Sequence, residues 1–438
     1  MSRTSNRKGP TELELEVGRL NDEGLGVAIH NDREVHIRNA LEGETVQARI
    51  LKKRKGIRFA DGVEVLASEH RLRVPAPCAY FPRCGGCSLQ HMTYSFQLEH
   101  KANQVKTELN KVGIEPVTWK PPTSAGELGY RRKARLGVRV VGEHILVGFR
   151  ESFSNRVSRM DVCSTLTPSL SELIQPLKKA IALQSQPQTI PQIELAAGDD
   201  EQVVIVRHLE ALTDQDQDVW RNFALDSDAI VLLQPKGYET VHTLDETPVP
   251  QLKYKVRNAE MLFDPRQFTQ VNASMNDVLV GQALSYLTPL DNKRVLDLFC
   301  GIGNFSIPIA IQGAQVVGVE FADEAVQQAR LNAAKNRVPE SLFLGMNLYE
   351  VSEFLDVATE TDVMVLDPPR SGAGPLLGHW LEHLTALEEI VYVSCKPKTF
   401  AEDVKVMAQY GFQLHEVGAY DMFPQTAHVE TIGYLKRG

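Results

Sequence analysis

The sequence predicts a multidomain chain of mixed α/β class: an OB-like β-barrel, a central mixed α+β domain, and a C-terminal Rossmann-like sheet. Three features carry that prediction. Residues 11–66 alternate short β-type runs with turn signals, residues 75–90 are rich in Pro, Gly and Cys without a period, and from about residue 293 strand-length apolar runs alternate with helical stretches. The 438 residues suit about two to four domains at roughly 100–200 residues each. Hydrophobic residues at 43% and charged residues at 24% are the composition of a chain that buries a large core. No run approaches the roughly 18 apolar residues of a membrane span, so no membrane partner is expected. The opening MSRTSNRKGP is polar and basic, unlike a secretory signal, and points to the cytoplasm. Six cysteines are too few for a disulfide scaffold and in that compartment suggest metal or catalysis.

Taken in order, TELELEVGRL, GLGVAIH, REVHIR, ETVQARIL and RFADGVEVL read as strands of a small barrel over residues 1–70. A helix follows over about 94–112, and Pro121, Pro122 and Gly126 mark a linker. Residues 71–265 form the central domain, mostly β segments with a helix near 168–184. Residues 266–438 hold the runs RVLDLFC, QVVGVE, SLFLGM, VMVLD and IVYVSC, near-continuously apolar as buried parallel strands are. ADEAVQQARLNAAKN and PKTFAEDVKVMAQYG are the helices between them. Two further strands, about 412–420 and 429–436, are joined by a short connection carrying Pro424 and should pair antiparallel at the sheet edge.

The net charge of −9 argues mildly against a nucleic-acid partner, but it hides an asymmetry. Residues 1–160 carry 27 Lys+Arg against 18 Asp+Glu, a net of +9, whereas residues 161–438 carry a net of −18. Lys52, Lys53, Arg54, Lys55 and Arg58 form one cationic group, and Arg131, Arg132, Lys133, Arg135 and Arg139 another, with Tyr130 adjoining. A single charge run is ordinarily a solvated loop. Two in one portion suggest a polyanion, and RNA affinity is expected mainly in residues 1–160.

The first C-terminal strand ends in Asp297-Leu-Phe-Cys-Gly301-Ile-Gly303-Asn-Phe305. Glycines at such a turn let the backbone approach a ligand, yet the third glycine of a dinucleotide site is replaced by Ser306. Asp297 would repel a pyrophosphate and suits a ligand with a cationic amino group, namely S-adenosylmethionine. Glu320 closes the second strand 17 residues after Gly303, where a carboxylate can grip ribose hydroxyls.

Two later strands end in Asp367-Pro-Pro-Arg370 and Ser394-Cys395-Lys396-Pro397. A lone cysteine is usually a small buried hydrophobe. The adjacent Lys396, able to favour a thiolate, and the shaped loop argue for function; Cys300, inside the cofactor turn, reads as structural. Glu430 lies at the turn into the last strand. Together they fit pyrimidine chemistry, in which a thiolate adds to carbon 6 and a base removes the proton from carbon 5. Cys78, Cys84 and Cys87, spaced C-x5-C-x2-C, with Cys163 as a distant fourth, form a metal-ligand set. Zinc and an iron–sulfur cluster accept that set equally.

The segments CAYFPRCGGCSLQH, GYRRKARL, FTQVN, VLDLFCGIGNF, VLDPPRSG, VYVSCKP and FPQTAHVET make the chain resemble the bacterial RNA 5-methyluridine methyltransferases, most closely their 23S rRNA branch, over nearly all its length. The resemblance implies an N-terminal TRAM barrel for RNA, a central domain with a [4Fe-4S] cluster on Cys78, Cys84, Cys87 and Cys163, and a methyltransferase domain. It implies S-adenosylmethionine contacts from Gln270, Phe299, Asn304, Glu320, Asn347 and Asp367, with Cys395 as nucleophile and Glu430 as base. Arg131, Arg132 and Phe268 fall in motifs that face RNA. Carbon-5 methylation of a 23S rRNA uridine by a cytoplasmic monomer is therefore expected, with another tRNA or rRNA uridine, or a non-catalytic RNA-folding role, as alternatives. The barrel and cysteine set argue against the family's shorter tRNA enzyme. Lys396 replaces the family's usual Asn, and Pro369 its 23S branch's frequent Ala. The helix over 94–112 is expected to pack on the catalytic domain.

Overall fold

The computed structural model describes residues 11–338, 341–350 and 353–438; the basic opening segment lies outside them. The first six strands are β1 (Glu12–Glu16), β2 (Arg19–Leu20), β3 (Gly26–Ile29), β4 (Glu34–Arg38), β5 (Thr45–Arg54) and β6 (Ile57–Ala67), in the spatial order β1-β5-β6-β4-β3-β2. The run TELELEVGRL is two strands rather than one. It breaks at Val17 and Gly18, whose N–H groups donate to Glu44 and Val27 instead of continuing the ladder. Alternate residues Val35, Ile37, Val46 and Ala48 close a small core.

Helix α1 (Tyr94–Val112) does pack on the C-terminal sheet, with Val105 and Leu109 in its core. β7 (Thr118–Trp119) then joins that sheet, while β8 (Lys133–Val141) and β9 (His144–Gly148) begin the central one. The central layer adds α2 (Pro168–Glu172), α3 (Ile174–Ala182), β10 (Gln192–Ala197), β11 (Gln202–Arg207), α4 (Asp214–Ser227), β12 (Ile230–Gln234) and β13 (His242–Thr243), giving the sheet order β13-β12-β11-β10-β8-β9. Thr213 caps α4 through a reciprocal capping box with Asp216. The hairpin β14 (Leu252–Val256) and β15 (Ala259–Phe263) buries Tyr254, Met261 and Phe263 in one core with the C-terminal sheet.

After α5 (Ala273–Leu287) come β16 (Arg294–Leu298), α6 (Ser306–Ile311), β17 (Gln315–Glu320), α7 (Asp323–Lys335), β18 (Leu342–Gly345), α8 (Leu355–Ala358), β19 (Val363–Leu366), α9 (Leu377–His383), β20 (Glu389–Ser394), α10 (Pro397–Gln409), β21 (Phe412–Tyr420) and β22 (Glu430–Arg437). Their sheet runs β18-β17-β16-β19-β20-β22-β21-β7, parallel through β20 and antiparallel at β22 and β21. Separate apolar clusters cover its two faces, as the alternation of apolar strands and helices predicts. The strand pair β21–β22 is not the outermost element, because β7 runs parallel to β21 beyond it. A strand of two residues leaves too little periodicity to be found in sequence.

Candidate active site

The turn after β16 is built for close approach. Phe299 has φ of 64° and Gly301 and Gly303 have φ of 55° and 90°, so three residues of one turn lie in the left-handed region. A Cβ on Gly301 would meet nothing within 4 Å, so its open side faces free space, whereas one on Gly303 would strike Ile307 at 2.9 Å. Glu320, at the end of β17, braces this turn by accepting from the Gly301 N–H at 3.2 Å and the Ala322 N–H at 3.0 Å. Asn304 exchanges hydrogen bonds with Asn276 at 2.8 and 2.9 Å and accepts from the Tyr254 hydroxyl at 3.1 Å. Asn347, just past β18, accepts from the Tyr349 N–H, and the Tyr349 ring lies 5.9 Å from that of Phe299. Gln270 sits two residues before Asn272, the N-cap of α5.

Three carboxylates meet here. Asp297 is fully buried; its Oδ2 accepts from the Ser306 hydroxyl at 2.5 Å, while Oδ1 has no partner. Burial, with Glu320 nearby, pushes its carboxyl up to about 7. Asp367, where β19 ends, is likewise pushed to about 7 by burial and by Asp297 and Glu320. An orphaned buried oxygen among acids that resist ionising is what a cationic ligand would relieve. Cys300 is buried and its thiol pushed well up, consistent with its structural reading.

The candidate thiol–carboxyl pair, Cys395 and Glu430, lies on the neighbouring strands. The last pair of the β20–β22 ladder is Ser394 opposite Thr431, so Cys395, just past β20, and Glu430, the first residue of β22 and paired on its other side with Tyr420, follow side by side at the end of that ladder. Burial and the neighbouring Glu430 push the Cys395 thiol up to about 11, and Arg370 opposes them. Glu430 is only 6% exposed; burial, then Asp367, hold its carboxyl well above the usual range, again against Arg370. The cation that opposes the rise of the thiol is Arg370, whereas Lys396, adjacent in sequence and exposed, acts on His428. Arg370 comes from the turn after β19, which the parallel sheet sets beside the end of β20.

The stretch that delivers Glu430 is clamped from three sides. Lys101 of α1, 1% exposed, pairs with the equally buried Asp421 at 2.5 Å and donates to the Phe423 carbonyl, and the Tyr94 hydroxyl donates to Asp421 at 2.9 Å. Gln97 and Gln425 exchange side-chain and backbone hydrogen bonds. Ser88 and Leu89, next to Cys87, donate their N–H groups to the Gln425 carbonyl, and the Tyr130 hydroxyl donates to that of Pro424. None of these contacts was legible from spacing.

The four remaining cysteines line one cavity, with Tyr80, Phe81, Gln90 and Phe149 among its walls. Burial pushes the Cys87 thiol up to about 12, and Cys163, Cys84 and Cys78 add to the effect. Among the described residues the only three-donor group within 4.8 Å is His379, Glu382 and His383 on α9, so no three of these sulfurs lie that close. A single tetrahedral zinc would need them about 3.8 Å apart, from Zn–S near 2.3 Å.

Three members of the second basic group are engaged by partners within the protein. Arg132 is buried, pairs with Asp199 at 3.4 Å and stacks 5.3 Å over the Tyr254 ring. Lys133 donates to the Gln267 carbonyl, and Arg135 is held by Glu194 and Tyr238. Arg131 is half-buried beside the Tyr130 ring, and Phe268 stands out of the surface at 78% exposure. The run therefore does not form the uniform cationic face its sequence suggests. Its partners lie 59 to 134 residues away and leave no local signal.

Residues 93–438 match the family described as tRNA (Uracil-5-)-methyltransferase. The chain is 38% identical to the 23S rRNA (uracil(1939)-C(5))-methyltransferase RlmD of Hahella chejuensis, with 100% of both chains covered. It is 39% identical to the protein of that name from Alkalilimnicola ehrlichii, covering 100% of this chain and 99% of the other. The tRNA (uracil-54, C5)-methyltransferase of Pyrococcus abyssi, solved with S-adenosyl-L-homocysteine, superposes with a TM-score of 0.75 at 25% identity, over 96% of this chain and 99% of its own. A tRNA enzyme thus spans nearly all of this architecture, and the N-terminal six-stranded sheet alone does not separate the two RNA classes. No helix among the described residues is long and apolar enough to cross a membrane. The carboxylate pocket, the thiol–carboxyl pair and the full-length similarity agree, and the chain belongs to the RNA uracil-5-methyltransferase family.

Proposed function

We propose that this protein transfers a methyl group from S-adenosylmethionine to carbon 5 of a uridine in 23S rRNA, at the position corresponding to uracil 1939 of the relatives. The observation that carries the reading is the emergence of Cys395 and Glu430 side by side beside the carboxylate pocket. The full-length identity to proteins named for 23S rRNA favours that RNA over tRNA.

The chemistry needs three steps. The Cys395 thiolate adds to carbon 6 of the uracil, moving the ring electrons onto carbon 5 and oxygen 4 as an enolate. Carbon 5 then attacks the sulfonium methyl, and the carbon–sulfur bond breaks to leave S-adenosylhomocysteine. Glu430, as carboxylate, takes the carbon-5 proton; the electrons re-form the double bond and expel the thiolate. Arg370 supports both anions. Glu320, Asn304, Asn347, Gln270 and Phe299 hold the cofactor, Asp297 and Asp367 face its positive charge, and Phe268 stacks on an unpaired base. The target must leave its stack, a cost of about a few kcal/mol that a loop uridine keeps low.

The barrel serves as a TRAM-type RNA-binding domain in a cytoplasmic monomer, with domain limits near residues 70 and 265. Cys78, Cys84, Cys87 and Cys163 hold a [4Fe-4S] cluster. Sulfurs spread beyond the spacing of one tetrahedral ion support a group of that size, and the four half-buried cysteines would hold its iron as thiolate ligands. Its role is structural, since no step above needs an electron. The deciding experiment is Cys395→Ala assayed for 5-methyluridine in 23S rRNA and in tRNA. Loss of product from 23S rRNA alone is expected. Methylation that persists in the variant removes the nucleophile, and methylation confined to tRNA moves the substrate.

A further inference from the structure

With Arg132, Lys133 and Arg135 engaged by partners within the protein, other cations must meet RNA outside the reactive centre. A groove of about 940 Å³ opens between the β8–β9 hairpin, the loop 151–159 and the cysteine loop, and four guanidinium groups line it: Arg83, Arg139, Arg156 and Arg159. Its one carboxylate, Glu151, is paired with Arg83 at 2.7 Å. Among the described residues Arg139, Arg156 and Arg159 form no salt bridge, in contrast to Arg132 and Arg135. Arg139 faces the groove because β8 alternates: Leu136 and Val138 point into the core and Arg139 points out, opposite Leu146 at the sheet edge.

The groove also has aromatic walls and a route to the barrel. Tyr80 and Phe81 line it. On its outer loop Phe153 packs 4.8 Å from Phe59, with Lys52 4.8 Å and Arg38 5.2 Å from the Phe153 ring. The basic strand β5 and the groove are therefore joined through one aromatic contact. Guanidinium groups with rings in a concavity suit an extended single strand, whose phosphates and splayed bases can enter; a duplex is read across its outer surface.

We propose that this groove, rather than the Arg131–Arg135 run, binds the phosphate backbone of a single-stranded RNA segment flanking the target uridine, through Arg139, Arg156 and Arg159. The proposal rests on the reading of the protein as an RNA methyltransferase and adds where the substrate is held. The test compares the wild-type protein with Arg139→Gln/Arg156→Gln/Arg159→Gln, using a 23S rRNA fragment that carries the target loop and its flanks. Binding is followed against salt, with 5-methyluridine formation measured in parallel. Each single-strand phosphate contact contributes about 0.7 to the slope of log affinity against log salt, so the triple variant should lose about two from that slope. Its KM for RNA should rise at least about tenfold, and kcat should move less than KM. Arg159→Gln alone should lose about 0.7, and Arg135→Gln, whose guanidinium is held by Glu194 and Tyr238, should lose nothing. Unchanged S-adenosylmethionine affinity shows that each variant is folded. An unaltered slope in both groove variants, or an equal loss in Arg135→Gln, overturns the proposal. Absence of 5-methyluridine with the wild-type protein instead overturns the underlying reading.

Discussion

Binding of S-adenosylmethionine should expel protons from the carboxylate pocket. In the free protein burial holds both Asp297 and Asp367 up to about 7. A cationic ligand against these groups stabilises their charged forms and returns them towards the ordinary carboxylate range near ~4. The sign follows from linkage: the free protein binds more protons than the complex, so affinity rises with pH through about 7 and levels off above it. Each group scales affinity by its ionised fraction in the free protein, about 0.09 at about pH 6 and about 0.9 at about pH 8. One responding carboxyl thus weakens binding about tenfold over that interval, and two about 100-fold. At about pH 7 the pair should release about one proton per ligand bound. Calorimetric titration in two buffers of different ionisation enthalpy measures that proton directly. Asp297→Asn should halve the release and flatten the pH dependence. S-adenosylhomocysteine, which keeps the ammonium but not the sulfonium, should release fewer protons. Affinity constant from about pH 6 to about pH 8, with no proton released, would refute the assignment of these acids to a cationic ligand.

Three further outcomes follow from the site and its clamp. Glu430→Gln keeps the shape but removes the base, so a covalent protein–RNA adduct that survives denaturation should accumulate on a gel; no adduct would take Glu430 out of the elimination step. Arg370→Gln removes the cation that opposes burial at Cys395, so the rising limb of the adduct-formation rate should move to higher pH, and an unmoved limb would leave the thiolate without its counter-charge. Asp421→Leu strands the buried Lys101 and should cost ~3–5 kcal/mol in denaturant unfolding, whereas adding Lys101→Met should recover most of it. Equal losses in the single and double variants would show that the pair itself is not what the fold feels.

What could be read from sequence divides by distance along the chain. The close-approach turn after β16 was legible because Asp297, Gly301, Gly303 and Glu320 are linked by one strand–helix–strand unit whose spacing is nearly fixed. The alternation of apolar strands and helices was legible for the same reason. Errors arose where chain neighbours are not spatial neighbours. Lys396 adjoins Cys395 but is exposed, while Arg370, 25 positions earlier, acts on the thiol across two parallel strands. The arginine run looked like a surface because its partners Glu194, Asp199 and Tyr238 enter from later strands and turns. The clamp on residues 421–427 joins four segments that share no pattern.

The place of α1 has a consequence for synthesis. This helix and β7 leave the ribosome early, yet the surfaces they cover, α10 and β21, come roughly 300 residues later; at about 5–20 residues per second that is an interval on the order of 15–60 s. Until then Val105, Leu109 and the cation of Lys101 have no native partner. The sheet that carries Cys395 and Glu430 is therefore completed by two segments roughly 300 residues apart. A fragment beginning at residue 266 would lack the helix that clamps the 421–425 stretch, and Asp421 would lose its buried partner Lys101.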